Sequence, residues 1–149
     1  MILIGGLIGV LSLFMIWVDG GNGLSATGWD AAYNYNTFLL PLVGYTNFYL
    51  VWIPMIVLML SLSGVADGAT LIVRRRVRGG MTSAVFGAII LVAVIIFSRF
   101  STPLTQTCSF NMADYLGIGV YMAAAAGALM LIFGALRAVY KPTKKTNGK

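Results

Sequence analysis

Residues Met81–Ser98 read MTSAVFGAIILVAVIIFS, eighteen residues without a Lys, Arg, Asp or Glu. A membrane-spanning helix needs about 20 mostly apolar residues, with a range of roughly 17–25. This stretch is therefore read as a helix that crosses a bilayer. Cations flank it on both sides: Arg74, Arg75, Arg76 and Arg78 just before, and Arg99 just after.

The same pattern recurs outward along the chain. Residues 47–66 and 115–139 are apolar over spanning lengths, and residues 1–18 are near the short limit. The core of each segment is free of charge, and Pro54 should kink the second, as membrane helices tolerate. The sequence predicts an all-α integral membrane four-helix bundle over residues 1–140, with spans at 1–18, 47–66, 81–98 and 115–139 and a basic tail at 141–149. No Lys or Arg precedes the first apolar stretch, so it is not read as a signal peptide, although Gly20–Ser25 holds the small residues of a cleavage site.

Composition agrees. Of 149 residues, 59% are hydrophobic and 9% charged, against about 25% charged in an ordinary soluble domain. The net charge of +6 does not point to nucleic acid. Of ten Lys and Arg, four fall in Arg74–Arg78 and five between Arg137 and Lys149, beside apolar runs. Such clusters report orientation. With four spans, the Arg74–Arg78 loop and both termini share one side, and the positive-inside rule makes it cytoplasmic. The outer side then holds Asp19, Asp30 and Asp114, with Arg99 as its only cation. Arg99 is expected to pair with one of these carboxylates.

The first outer loop, from about Asp19 to Thr46, is the longer one. It opens on Gly20-Gly21-Asn22-Gly23 and then carries Trp29, Tyr33, Tyr35, Phe38 and Tyr45. Trp17, Phe48, Tyr49 and Trp52 at its edges read as an interfacial belt, since Trp and Tyr favour the headgroup level. Trp29, Tyr33 and Tyr35 read as a contact surface, because aromatic side chains dominate interface energetics. The apolar run Phe38–Val43 is too short to span and is expected on the membrane surface or against the other outer loop.

Helices in lipid gain little from hydrophobicity and associate where small residues let backbones approach. Gly5 and Gly9 in the first segment make one such seam, Gly80, Ala84 and Ala88 a second, and Gly119, Ala123 and Gly127 a third. Packing inside one bundle and contact with a neighbouring subunit are both open for these seams; Gly5 and Gly9 are the first choice for a neighbour.

The inventory for chemistry is short. There is no His and no Glu, and of the Asp residues only Asp67 lies toward the inner side, at the expected edge of the second helix. General acid–base work draws on His, Glu, Asp or Lys tuned by burial, and ion carriers keep ionisable residues inside the membrane. No enzyme activity, cofactor or metal is expected. Cys108 is the only cysteine and cannot form an intramolecular disulfide; a free thiol, an intermolecular bridge and a lipid anchor stay open for it.

The layout of four helices with a longer, Trp-bearing first outer loop resembles the claudin-type tetraspan superfamily. Gly28-Trp29 is similar to the claudin Gly-Leu-Trp element without its Leu, and the fourth helix resembles the claudin one in its acidic start at Asp114, its glycines and its run Ala123–Ala126. The paired cysteines of the claudin loop have no counterpart here. Thr27-Gly28-Trp29-Asp30 and the Gly-rich fourth helix are closer to small prokaryotic four-helix membrane proteins, a resemblance that implies architecture and no activity.

The expected function is a non-enzymatic structural or accessory subunit of a membrane protein assembly. Its expected partners are the lipid bilayer and other membrane subunits, of the same or a different chain. The alternative is an oligomeric channel or solute facilitator. A pore needs a polar stripe, and Ser12, Ser61, Ser63, Thr82, Ser83 and Ser98 are sparse.

Overall fold

The computed structural model describes residues 1–21, 25–33, 49–73, 80–99, 101–103 and 109–139. It is mostly helical. Three helices are long and apolar enough to span a membrane: α3 (Tyr49–Val73), α4 (Met81–Ser98) and α5 (Ile118–Val139). At 1.5 Å per residue they measure about 37, 27 and 33 Å, against a hydrocarbon thickness of about 30 Å. The third expected span is met at both ends. The second runs on past Ala66 to Val73.

The first segment departs from expectation. Helix α1 covers Ile2–Ser12 only, about 16 Å of rise, rather than residues 1–18. The chain turns over Leu13–Met15 and runs extended as strand β1 (Ile16–Asp19). Helix α2 (Gly28–Tyr33) is a further short element, reached through strand β2 (Ser25–Thr27). The departure is stabilised because backbone groups freed by ending the helix find partners. Phe14 N donates to Leu11 O, Met15 N to Ser12 O, Gly28 N to Met15 O, Trp29 N to Leu13 O, and Gly117 N to Trp17 O. A non-helical backbone is tolerated beside lipid only when its polar groups are satisfied within the protein.

Strand β1 pairs antiparallel with β2, with Ile16 opposite Thr27 and Val18 opposite Ala26. Trp17 is the extra residue between those two pairs, a β-bulge. A bulge breaks the two-residue alternation and re-aims a side chain. That is why Trp17 and Val18, consecutive in sequence, are both buried. Val18 also bridges Leu116 on the other side, so β1 is joined on both edges at that residue. A second hairpin pairs β3 (Ser101–Pro103) with β4 (Ser109–Asn111) and leads through a 3-10 turn at Met112–Tyr115 into α5.

Helix α1 packs on α3 and α5, α5 packs most extensively on α4, and α4 closes onto α3 with the least contact of these neighbours. Close approach on the α4–α5 side depends on glycine. A Cβ on Gly87 would lie 2.5 Å from Gly127 O, and one on Gly134 would lie 2.5 Å from Ala84 N. On α1, Gly6 faces Val65 and Ser61 while Gly5 faces Met130 and Ala126. These registers make α1 antiparallel to α3 and α5. Met1, Val73, Met81 and Val139 therefore lie at one end of the bundle, the loop end, and the hairpins cover the other, the capped end.

Candidate functional site: the capped end

The capped end is built around Trp17. Its indole Nε1 donates to Ser12 O at 2.7 Å, which satisfies a carbonyl at the end of α1. Its ring meets Phe97 edge-on, with centroids 5.3 Å apart at 77°. Both residues are 0% exposed. Two glycines make room for the indole: a Cβ on Gly28 would lie 2.7 Å from Trp17 Nε1, and one on Gly119 would lie 2.8 Å from it.

Gly28 belongs to Thr27-Gly28-Trp29-Asp30, and the rest of that element is a helix start. Thr27 Oγ1 accepts from Asp30 N at 3.1 Å and donates to Asp30 Oδ2 at 2.7 Å, while Thr27 N donates to the same Oδ2 at 3.2 Å. This is a reciprocal capping box, in which the N-cap side chain and the third helical residue satisfy each other's free N–H groups. The box fixes α2, and the Trp29 N–H to Leu13 O bond of 3.0 Å ties α2 to the end of α1. Trp29 is thereby carried on a braced platform with 41% of its surface exposed.

The seam residues lie elsewhere. Gly5, Gly9, Gly119, Ala123 and Gly127 are all buried within this chain. A Cβ on Gly5 would touch Met130 and Ala126, one on Gly9 would collide with Ser61, and one on Gly127 would lie 3.0 Å from Gly87 O. Their close approach is used inside the bundle, between helices of this chain. Two of the outer carboxylates have local partners. Asp30 is engaged in the capping box, and Asp19 Oδ1 accepts from Gly21 N at 3.1 Å in a local turn. Arg99 and Asp114 are exposed, and among the described residues no carboxylate forms an ion pair with Arg99. Tyr33 closes α2, but its side chain lies outside the described residues, as do Tyr35, Phe38–Val43, Arg74–Arg78, Cys108 and the tail 141–149.

Two residues were misjudged in sequence. Trp17, assigned to an interfacial belt, is the centre of the cap; of the two glycines that seat it, Gly119 is far away in sequence and gives no local signal. Asp67, assigned to the helix edge, lies two turns inside α3 and accepts a hydrogen bond from Ser83 Oγ of α4 through its Oδ2. The apolar run Leu71–Val73 after Asp67 could have shown that the helix continues. Among the described residues, no three His, Cys, Asp or Glu side chains come together as a metal site. The chain matches no family model, no curated protein and no solved structure.

Proposed function

We propose that the chain is a non-enzymatic structural or accessory subunit of a membrane protein assembly. In this reading α1, α3, α4 and α5 lie in the bilayer, the loop end faces the cytoplasm and both termini are on that side. The arginines at 74–78 and the basic tail, which join or follow the helix ends at Val73, Met81 and Val139, support this orientation through the positive-inside rule. Helix α1 alone is shorter than the hydrocarbon layer. Strand β1, about 13 Å long at roughly 3.3 Å per residue, follows the turn, and its backbone bonds to Thr27, Ala26 and Gly117 support placing it at the outer interface.

The observation that carries the reading is Trp29, held on the capped platform of α2 with 41% of its surface exposed. A rigid, partly exposed Trp is the residue type most enriched at interface hot spots. The bundle interior supports the same view. The buried polar side chains among the described residues are Ser12, Ser61 and Ser83; they sit at the top, middle and bottom of the helices and make no continuous polar path. Neighbours are met through the lipid-facing helix sides and the cap. Native mass measurement of the full chain, extracted with its own lipids, tests the reading. An assembly that Trp29→Ala weakens is the expected result; a single chain by native mass and by crosslinking in membranes overturns it.

A further inference from the structure

The end of α1 leaves none of its carbonyls without a partner. A helix ends on four C=O groups that no N–H of its own can meet, and in α1 these belong to Gly9, Val10, Leu11 and Ser12. Ser12 Oγ donates to Gly9 O at 2.7 Å, Leu13 N to Val10 O at 3.3 Å and Phe14 N to Leu11 O at 3.1 Å. Ser12 O accepts twice, from Met15 N and from Trp17 Nε1. Two carbonyls of the turn itself are taken as well: Leu13 O accepts from Trp29 N, and Met15 O from Gly28 N. A helix end in water can leave such groups to the solvent. One in hydrocarbon must satisfy them within the protein.

The side chains around this closed backbone are apolar and face outward. Phe14 is 63% exposed, and Met15 and Ile16 are exposed beside it. They continue the exposed stripe Ile4, Leu7 and Leu11, whose spacing of three and four residues places it on one face of α1. The first charge in the sequence is Asp19. Helix α4 ends differently at the same end of the bundle, on the exposed Arg99. Leu11, Phe14, Met15 and Ile16 offer a protein partner no charged or polar side chain to fix its orientation, whereas acyl chains require none.

We infer that the turn at residues 13–16 lies inside the leaflet at the capped end, where phospholipid acyl chains cover Phe14 and Met15, and that the headgroup level is reached between Ile16 and Asp19. Helix α1 rises about 16 Å, and the turn carries its lipid-facing surface past the helix end. Irregular backbone at that depth is tolerated because its carbonyls are already bonded. The inference rests on the membrane placement within the proposed function and is independent of whether a second subunit binds.

The test uses the full chain carrying Cys108→Ser, in dioleoylphosphatidylcholine vesicles, with a nitroxide on one introduced cysteine at a time. Phe14→Cys and Met15→Cys report on the turn. Leu7→Cys and Ile89→Cys, on exposed sides of α1 and α4, are the membrane references, and Ser25→Cys, exposed on the cap, is the water reference. Collisions are measured with oxygen, which concentrates in hydrocarbon, and with a nickel chelate, which stays in water. The oxygen-to-nickel ratio at positions 14 and 15 should exceed that at position 25 by more than about tenfold, because a polar complex is poorly soluble in hydrocarbon. Nickel access at 14 and 15 as high as at 25 overturns the inference. So does shielding from both reagents, which would mean that another segment of this chain or a second subunit covers the turn. Nickel access at positions 7 and 89 as well would overturn the membrane placement itself, so the two failures are told apart. A benzophenone amino acid at position 14, close in shape to the native ring, repeats the test without a nitroxide. Photolysis should join it to a phospholipid acyl chain; adducts with protein alone overturn the inference.

Discussion

Helix α4 has two neighbours of very different construction. Toward α5 it presents Ala84, Gly87 and Ile90, and the backbones approach so closely that a Cβ at Gly87 would lie 2.5 Å from Gly127 O. Toward α3 the contact is less extensive, and at the loop end a side-chain hydrogen bond from Ser83 to Asp67 joins the two helices. In lipid, apolar surface alone does not choose a partner, so a helix pair is specified either by shape or by polar bonds. One side of α4 uses shape and the other uses a bond. The side held by shape should tolerate no added volume; the side held by a bond should tolerate much.

The largest expected effect follows from that asymmetry. Gly87→Leu places a side chain where Gly127 O and the Leu131 backbone already lie, and backbone cannot be moved aside as a rotamer can. The cost should exceed about 3 kcal/mol, the upper end of ordinary overpacking. Loss of monodisperse protein in mild detergent is the expected outcome. Ser63→Leu, on the open side, should leave the isolated chain within about 0.5 kcal/mol of its original stability. Equal damage from both substitutions would erase the contrast between the two faces.

Trp17→Ala comes next. The indole is 0% exposed, meets Phe97 edge-on and caps Ser12 O. Truncating a buried Trp costs about 3–5 kcal/mol through lost burial and the cavity left behind. Thermal unfolding in detergent, followed by circular dichroism, should show the loss. Trp17→Phe should fall between, since it keeps most of the volume and gives up the hydrogen bond. A Trp17→Ala protein as stable as the parent would show that the cap is an ornament on the helices rather than part of the core.

The long helices were legible because their signal is length and apolarity, which any lipid-facing helix must show. Met81–Ser98 has the same bounds as an apolar run in the sequence and as a helix in the structure, where Gly80 and Arg99 cap it. The end of α1 was not legible. Residues 13–18 are as apolar as those before them, and the helix stops at Ser12 because Trp17 finds a seat against Gly28 and Gly119. Those contacts are long-range, so no local pattern announces them. The seam glycines were legible as close-approach positions, but their partners were not. A glycine stripe reports that something comes near; which helix it is depends on the ring order. Thr27-Gly28-Trp29-Asp30 was recognised as an element, whereas its division into a cap, a seat and a presented ring required coordinates.

A smaller effect is expected at the capping box. Asp30→Ala removes the carboxylate that accepts from Thr27 N and Thr27 Oγ1. Loss of such a cap costs about 1 kcal/mol, within a range of roughly 0.5–2. The change should be local: faster hydrogen exchange at the amides of Gly28–Tyr33, with exchange in α4 unchanged. Spread of the effect into α4 would mean that the cap braces the long helices as well as α2.

The smallest effect sharpens the comparison most. The Ser83–Asp67 bond is the polar link on the open side of α4, and interhelical hydrogen bonds in membranes average about 0.6 kcal/mol with a maximum near 1.7. The value is modest because both groups find other partners when the helices separate: Ser83 Oγ can turn to a backbone carbonyl, and Asp67 can reach headgroup water. A double-mutant cycle with Ser83→Ala and Asp67→Asn isolates the coupling from each residue's own burial. Unfolding measured in bicelles should return a coupling below about 1.7 kcal/mol, well under the cost of Gly87→Leu. A coupling that rivals the glycine substitution would mean the open side is held as firmly as the tight one.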